Sequence, residues 1–156
     1  MGDQSLTGIS LDRLRQVCVV VKDIESTVNN YEKALGMNSW RIRLIDSSRM
    51  SGMTYHGKPT DYVFKVASAL VGLMEIELIQ HVSGDTIYRD FLQEKGEGLH
   101  HIGHVKVDNL DKAIGKFEND GFSCVQSGRF PGGGYAYMDT TEKLGTVIEL
   151  IQRSET

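Results

Sequence analysis

Cysteine occurs only twice in 156 residues, at Cys18 and Cys124. Both lie in apolar, strand-like contexts, so no disulfide framework is implied and each thiol is read as a small buried hydrophobe. Cys-x-x-Cys, His-Glu-x-x-His and Gly-x-Ser-x-Gly patterns are all absent, which removes the thiol-redox, zincin and serine-hydrolase readings. Long apolar runs are missing too. The longest is Val17-Cys18-Val19-Val20-Val21, far short of the roughly 20 residues of a membrane span. Met1 to Ser10 lack the basic and then apolar order of a secretory signal, so a cytoplasmic location is expected. Nor is there an excess of positive charge: 17 Lys and Arg against 21 Asp and Glu give a net charge of −4 with His neutral. Nucleic acid and membrane are therefore not expected partners.

What is present is a repeat. Ile76-Glu77-Leu78-Ile79-Gln80 returns as Ile148-Glu149-Leu150-Ile151-Gln152. Each copy sets one carboxylate among apolar residues, where an ionised group is costly unless a cation meets it. The rest of the chain follows the same duplication. Leu14 to Asp23 reads as a β-branched strand and turn, followed by a helix with Val28, Tyr31 and Leu35 on one face and Gly36 at its end. Leu99 to Asp108 and Asp111 to Asp120 repeat that order, with Ala113, Ile114 and Phe117 apolar and Gly121 at the end. One interval separates Gln16 from His101 and Gly36 from Gly121, and a shorter one separates Glu77 from Glu149 because the first half carries a longer loop, Asp46 to Asp61. The expected fold is α+β: two tandem βαβββ modules whose sheets pair into one curved mixed sheet around a central metal cleft. The expected divisions are an N-terminal extension (1–13), a first module (14–80), a linker (81–98) with a helix over Thr86 to Lys95, and a second module (99–156), the whole forming one structural domain.

Period two along a strand places Gln16 with Cys18 and Val20, His101 with Gly103, Glu77 with Glu75, and Glu149 with Val147. Paired about a pseudo-twofold axis, Gln16, Glu77, His101 and Glu149 converge. One imidazole, two carboxylates and one amide oxygen suit divalent Co, Ni, Zn, Mn or Fe, and with no thiolate in the set a soft ion is not expected. Glu77 and Glu149 are also the candidate catalytic bases. By the same alternation His100 and His104 fall off the shared face, and with His81 they are assigned structural or rim roles. Pro131-Gly132-Gly133-Gly134 lacks the Lys-Ser/Thr of a phosphate loop and reads as a hairpin, a candidate lid. Phe130, Tyr135 and Tyr137 beside it read as core or rim.

With these residues in place, the chain resembles the vicinal oxygen chelate superfamily, which contains glyoxalase I, methylmalonyl-CoA epimerase, extradiol dioxygenases and bleomycin-binding proteins. The stretches Phe91 to Ile102 and Gly145 to Leu150 are similar to those of methylmalonyl-CoA epimerases. That resemblance implies an epimerase or isomerase of an acyl-CoA thioester that needs a divalent metal ion, and a homodimer. It puts His101 and Glu149 at the family's metal positions. Epimerases carry His and Gln where this chain has Gln16 and Glu77; the quartet as it stands resembles eukaryotic-type glyoxalase I, which implies a lyase on a thiol adduct as the alternative. Val20 and Glu97 stand where glyoxalase I has Arg for glutathione. A metal-free binding protein of the bleomycin-resistance kind is the third reading.

Overall fold

The structure is a computed structural model that describes residues 14–154; the expected N-terminal extension, with Met1 to Ser10, lies outside the described residues. In chain order the elements are β1 (Gln16–Val20), α1 (Ile24–Leu35), β2 (Arg41–Ile45), β3 (Ser51–Tyr55), β4 (Lys58–Pro59), β5 (Val63–Val71), β6 (Met74–Ser83), α2 (Ile87–Lys95), β7 (Gly98–Lys106), α3 (Leu110–Asn119), β8 (Ser123–Phe130), β9 (Gly133–Asp139), α4 (Thr141–Leu144) and β10 (Val147–Arg153). The long helices begin at side-chain caps. Asp23 accepts from Ser26 N, Thr86 from Arg89 N and Asn109 from Lys112 N, which satisfies amides that have no intrahelical partner. Gly36 closes α1 in the left-handed region at φ 66°. Leu35, expected on the packed face, is 66% exposed, because only Ile24, Val28 and Tyr31 of α1 meet the sheet.

The ten strands of the described residues form one sheet in the order β2-β5-β6-β1-β7-β10-β9-β8-β3-β4. At its centre β1 runs antiparallel to β7, flanked by β6 parallel to β1 and by β10 parallel to β7. The strands carrying Glu77, Gln16, His101 and Glu149 are thus four neighbours. One face of the sheet packs α1 on Ala67 and Leu78, and α3 on Ala136, Met138 and Leu150. The other face encloses a single core in which Ile87 and Tyr88 of α2 meet Cys18, Val66, Val125 and Tyr137. A flat sheet would hold β5 and β8 about 29 Å apart at the usual strand spacing. Yet Tyr62, at the entrance to β5, donates to Ser127 O of β8 at 2.9 Å and bonds the Tyr135 hydroxyl at 2.6 Å. The sheet is therefore curled, as a half-barrel, around α2.

Asp46 to Asp61 is not the open loop that its polar and glycine content suggests. After a turn in which Asp46 O accepts from Arg49 N and Met50 N, the chain forms β3, which pairs antiparallel with β8 on the far side of the sheet. Met53 enters the core, and the Thr54 hydroxyl bonds that of Ser127 at 2.7 Å. Only Asp46 to Met50 separate β2 from β3, so this short crossing draws the two sides of the half-barrel toward each other.

Candidate metal centre

Gln16, Glu77, His101 and Glu149 are all buried, and their functional atoms meet. His101 Nε2 lies 3.5 Å from Glu77 Oε2 and 3.9 Å from Glu149 Oε2. Gln16 Oε1 and Glu149 Oε2 each stand 2.5 Å from the point a Cβ on Gly103 would occupy, so the missing side chain leaves room for both oxygens. Such separations suit a shared cation: ligands bonded at about 2.0–2.1 Å in a tetrahedron lie about 3.4 Å from one another. Gln16 Oε1, Glu77 Oε2 and His101 Nε2 are also buried without any hydrogen-bond partner, a costly state that a divalent ion would relieve. The donor set therefore fits the ion that its chemistry suggests.

Neighbouring groups aim these donors. Gln16 Nε2 donates to Glu75 Oε1 at 2.6 Å and lies 3.1 Å from His104 Nε2. A carboxylate only accepts, so the amide nitrogen must face Glu75 and the amide oxygen must face the cluster. His101 Nδ1 is 2.9 Å from His100 Nδ1. Burial holds the His100 imidazole well below its usual range, and if His101 binds an ion through Nε2 its proton sits on Nδ1 and is donated to His100 Nδ1.

These supports correct two expectations. His100 and His104 do not fall behind the sheet, because β7 is irregular on both sides of His101. Its register against β1 shifts between Cys18 and Val19, and its register against β10 shifts between Ile148 and Leu150. His104 itself has φ 54°. An inserted residue reverses the alternation beyond it, which brings both rings to the cluster's side. His81 is structural, bonded through Nδ1 to the Thr86 hydroxyl at 3.0 Å. Cys18 is buried in the core, as its apolar strand suggests. Its thiol also lies within 4.8 Å of donor atoms of Glu77 and His101, all three within that distance of one another. Period two places Cys18 on the Gln16 face, and Cys18 and Gly103 stand at the same interval as Gln16 and His101.

Burial dominates the electrostatics. It pushes the Glu77 carboxyl up to about 7, raises that of Glu149, and draws the His101 imidazole down to about 4. Burial and then the Glu77 and Glu149 charges raise the Cys18 thiol well above its ordinary range. For Glu77 the folded state holds its proton more tightly than the unfolded chain. Its contribution to stability is complete below about pH 4.5 and is lost as pH rises through about 7, a change of about 3 kcal/mol. Metal-free Glu77→Gln protein, which lacks this titration, is therefore expected to gain on the parent by about that amount between pH 4.5 and pH 8 in urea unfolding. A stability gap that stays constant over this range would show that Glu77 titrates normally.

Glu77 and Glu149 of the cluster line a cavity of about 480 Å³ whose walls include Phe64, Ile79 and Tyr137. Three arginines surround its mouth: Arg43 from β2, Arg49 from the crossing turn and Arg153 from β10. Pro131 reaches this cavity, while Gly133 and Gly134 belong to β9. Tyr135 and Tyr137 are buried parts of the wall. Among the described residues no helix is long and apolar enough to cross a membrane.

Comparison with known proteins agrees with this architecture. The YqjC protein of Bacillus subtilis (strain 168), itself uncharacterized, is 23% identical over 147 residues, covering 91% of this chain and 93% of its own. Methylmalonyl-CoA epimerase from Mycobacterium tuberculosis superposes with a TM-score of 0.64 at 18% identity, covering 99% of this chain and 94% of the other. A Streptomyces coelicolor methylmalonyl-CoA epimerase variant in complex with 2-nitronate-propionyl-CoA gives 0.61 at 15% identity, covering 94% of this chain and 100% of the other. At these identities the likeness is one of fold. The sequence model of the Glyoxalase/Bleomycin resistance protein/Dioxygenase superfamily matches residues 15–138, and the chain belongs to that superfamily.

Proposed function

We propose that the protein is a divalent-metal-dependent epimerase or isomerase of an acyl-CoA thioester, with methylmalonyl-CoA as the nearest precedent, acting in the cytoplasm as a homodimer. The observation that carries this reading is the placement of Glu77 and Glu149. Two buried carboxylates come from β6 and β10, on opposite sides of the central β1–β7 pair, with His101 Nε2 within 3.9 Å of both. Epimerisation needs one base on each face of the reacting carbon, and this arrangement offers two. Gln16, Glu77, His101 and Glu149 would hold the ion. A divalent ion bound there supplies positive charge that stabilises the enolate as the α-proton leaves. Glu77 or Glu149 takes that proton at a carboxylate oxygen, and its partner returns one to the other face. Phe64, Ile79 and Tyr137 give the reacting carbon apolar neighbours on one side of the cavity.

The arginine mouth supports an anionic substrate. Arg153→Gln is expected to raise KM for the thioester roughly tenfold and to leave kcat within about twofold, as befits a contact made equally in ground and transition states. An unchanged KM would remove Arg153 from recognition.

The Gln16–Glu77–His101–Glu149 quartet also supports a second reading, a glyoxalase-like lyase on a thiol adduct. Against glutathione as that thiol, Glu97 accepts from Lys22 N at 2.8 Å and offers no cation. Purified protein should gain about 2.7 kcal/mol of stability in an ion at a hundredfold its dissociation constant. With metal bound, it should then exchange the α-proton of methylmalonyl-CoA in heavy water. Turnover of a methylglyoxal–thiol adduct without that exchange would favour the lyase. A protein that takes up no ion would point to the metal-free binding class.

A further inference from the structure

We propose that Cys18 is a further donor of this centre, a thiolate that biases it toward thiophilic ions such as Cd2+, Zn2+ and Co2+ over Mn2+. The proposal rests on reading the buried cluster as a metal centre. In the sheet Cys18 lies directly between two of the candidate ligands, paired with Glu77 of β6 on one side and with His101 of β7 on the other. It is fully buried, and its sulfur and one donor atom from each neighbour all fall within 4.8 Å of one another. Both neighbours present inward atoms, Glu77 Oε2 and His101 Nε2, that have no hydrogen-bond partner, as does Gln16 Oε1.

The internal repeat explains why a side chain at this position reaches the donors. Gln16 is paired with Gly103 as Cys18 is paired with His101, so position 103 in the second half corresponds to position 18 in the first. At Gly103 the backbone is so placed that even one added carbon would stand 2.5 Å from Gln16 Oε1 and Glu149 Oε2. Any side chain at this place in the repeat grows into the cluster. In the second half the place is taken up by Gln16 Oε1 and Glu149 Oε2; in the first it is filled by a CH2–SH group. Nitrogen and oxygen donors alone discriminate little between borderline divalent ions, whereas an added sulfur favours the softer ones. On coordination the thiol loses its proton to solvent and the sulfur lone pair goes to the ion, so each ion bound through Cys18 releases one proton from it.

The test uses the metals alone, on the full chain. Cobalt-loaded wild-type protein should show sulfur-to-cobalt charge-transfer absorption in the near-ultraviolet, absent from both Cys18→Ser and Cys18→Ala while the visible cobalt bands persist. Cys124, half-buried beside Gln126 O on another part of the sheet, remains in both variants and controls for adventitious thiol binding. By competition titration Cys18→Ser should lose roughly tenfold or more in Cd2+ affinity and change Mn2+ affinity by less than about twofold. Unfolding midpoints of both variants check that the fold survives. Bound cobalt without the near-ultraviolet band, or an equal loss for Cd2+ and Mn2+, overturns the role of Cys18 and leaves the metal centre standing. No bound cobalt at all overturns the centre itself, and Cys18 with it.

Discussion

Metal-loaded Glu149→Gln protein is expected to lose α-proton exchange from one face of methylmalonyl-CoA, and Glu77→Gln protein from the other, each with epimerisation slowed by roughly 10²–10⁴-fold. Glutamine keeps an oxygen that can face a cation but cannot take a proton at neutral pH. The substitution therefore separates proton transfer from ion binding. In the metal-free protein burial raises the proton affinity of both carboxylates, pushing Glu77 up to about 7. Deuterium incorporation from each enantiomer, followed by mass spectrometry with bound metal measured in parallel, decides the matter. Undiminished exchange in both variants would remove these residues from the chemistry. Loss of exchange together with loss of metal would show that they act only as ligands.

Gly103→Ala is expected to weaken divalent-ion binding by roughly a hundredfold or more while leaving a folded protein, because the added methyl occupies the space into which Gln16 Oε1 and Glu149 Oε2 point. Either oxygen can retreat only by leaving the cluster. The steric cost to the fold should be about 1–3 kcal/mol, typical of overpacking. Gly115→Ala is the matched control. That glycine sits in α3 with nothing within 4 Å of an added carbon, and the substitution should stabilise the protein by up to about 1 kcal/mol without touching ion affinity. Calorimetric titration with Co2+ measures both. Equal affinity in wild-type and Gly103→Ala protein would show that the ion, if bound, uses neither Gln16 nor Glu149.

Much of this was legible in the residues because most of it is periodic. Alternation in β1, β6 and β10 placed Gln16, Glu77 and Glu149 on one face, and the duplicated Ile-Glu-Leu-Ile-Gln segment exposed the pairing of Gln16 with His101. Helix α2 was readable from Thr86 to Lys95. What escaped depends on partners distant in sequence. His100 and His104 reach the cluster through irregular registers of β7 against β1 and β10, and no pattern within β7 reveals a register. The strand at Ser51 to Tyr55 exists because β8 offers an edge to it; by itself Ser-Gly-Met-Thr-Tyr between glycines looks like a loop. Cys18 is the buried core residue its valine-rich strand suggests; its nearness to Glu77 and His101 depends on the pairing of β1 with β6 and β7, which β1 alone does not reveal.

The crossing at Asp46 to Met50 also bears on how the chain reaches its native state. Because β3 is contributed by the first half and stacks against the edge strand of the second, neither half can complete its hydrogen-bond ladders before the other has formed. Contacts such as Thr54 with Ser127, 73 positions apart, belong to late, high-contact-order pairing. A chain severed between α2 and β7 would yield two fragments, each with an exposed, unpartnered strand. Mixed, they should recover one cooperative unfolding transition; kept apart, each is an aggregation hazard.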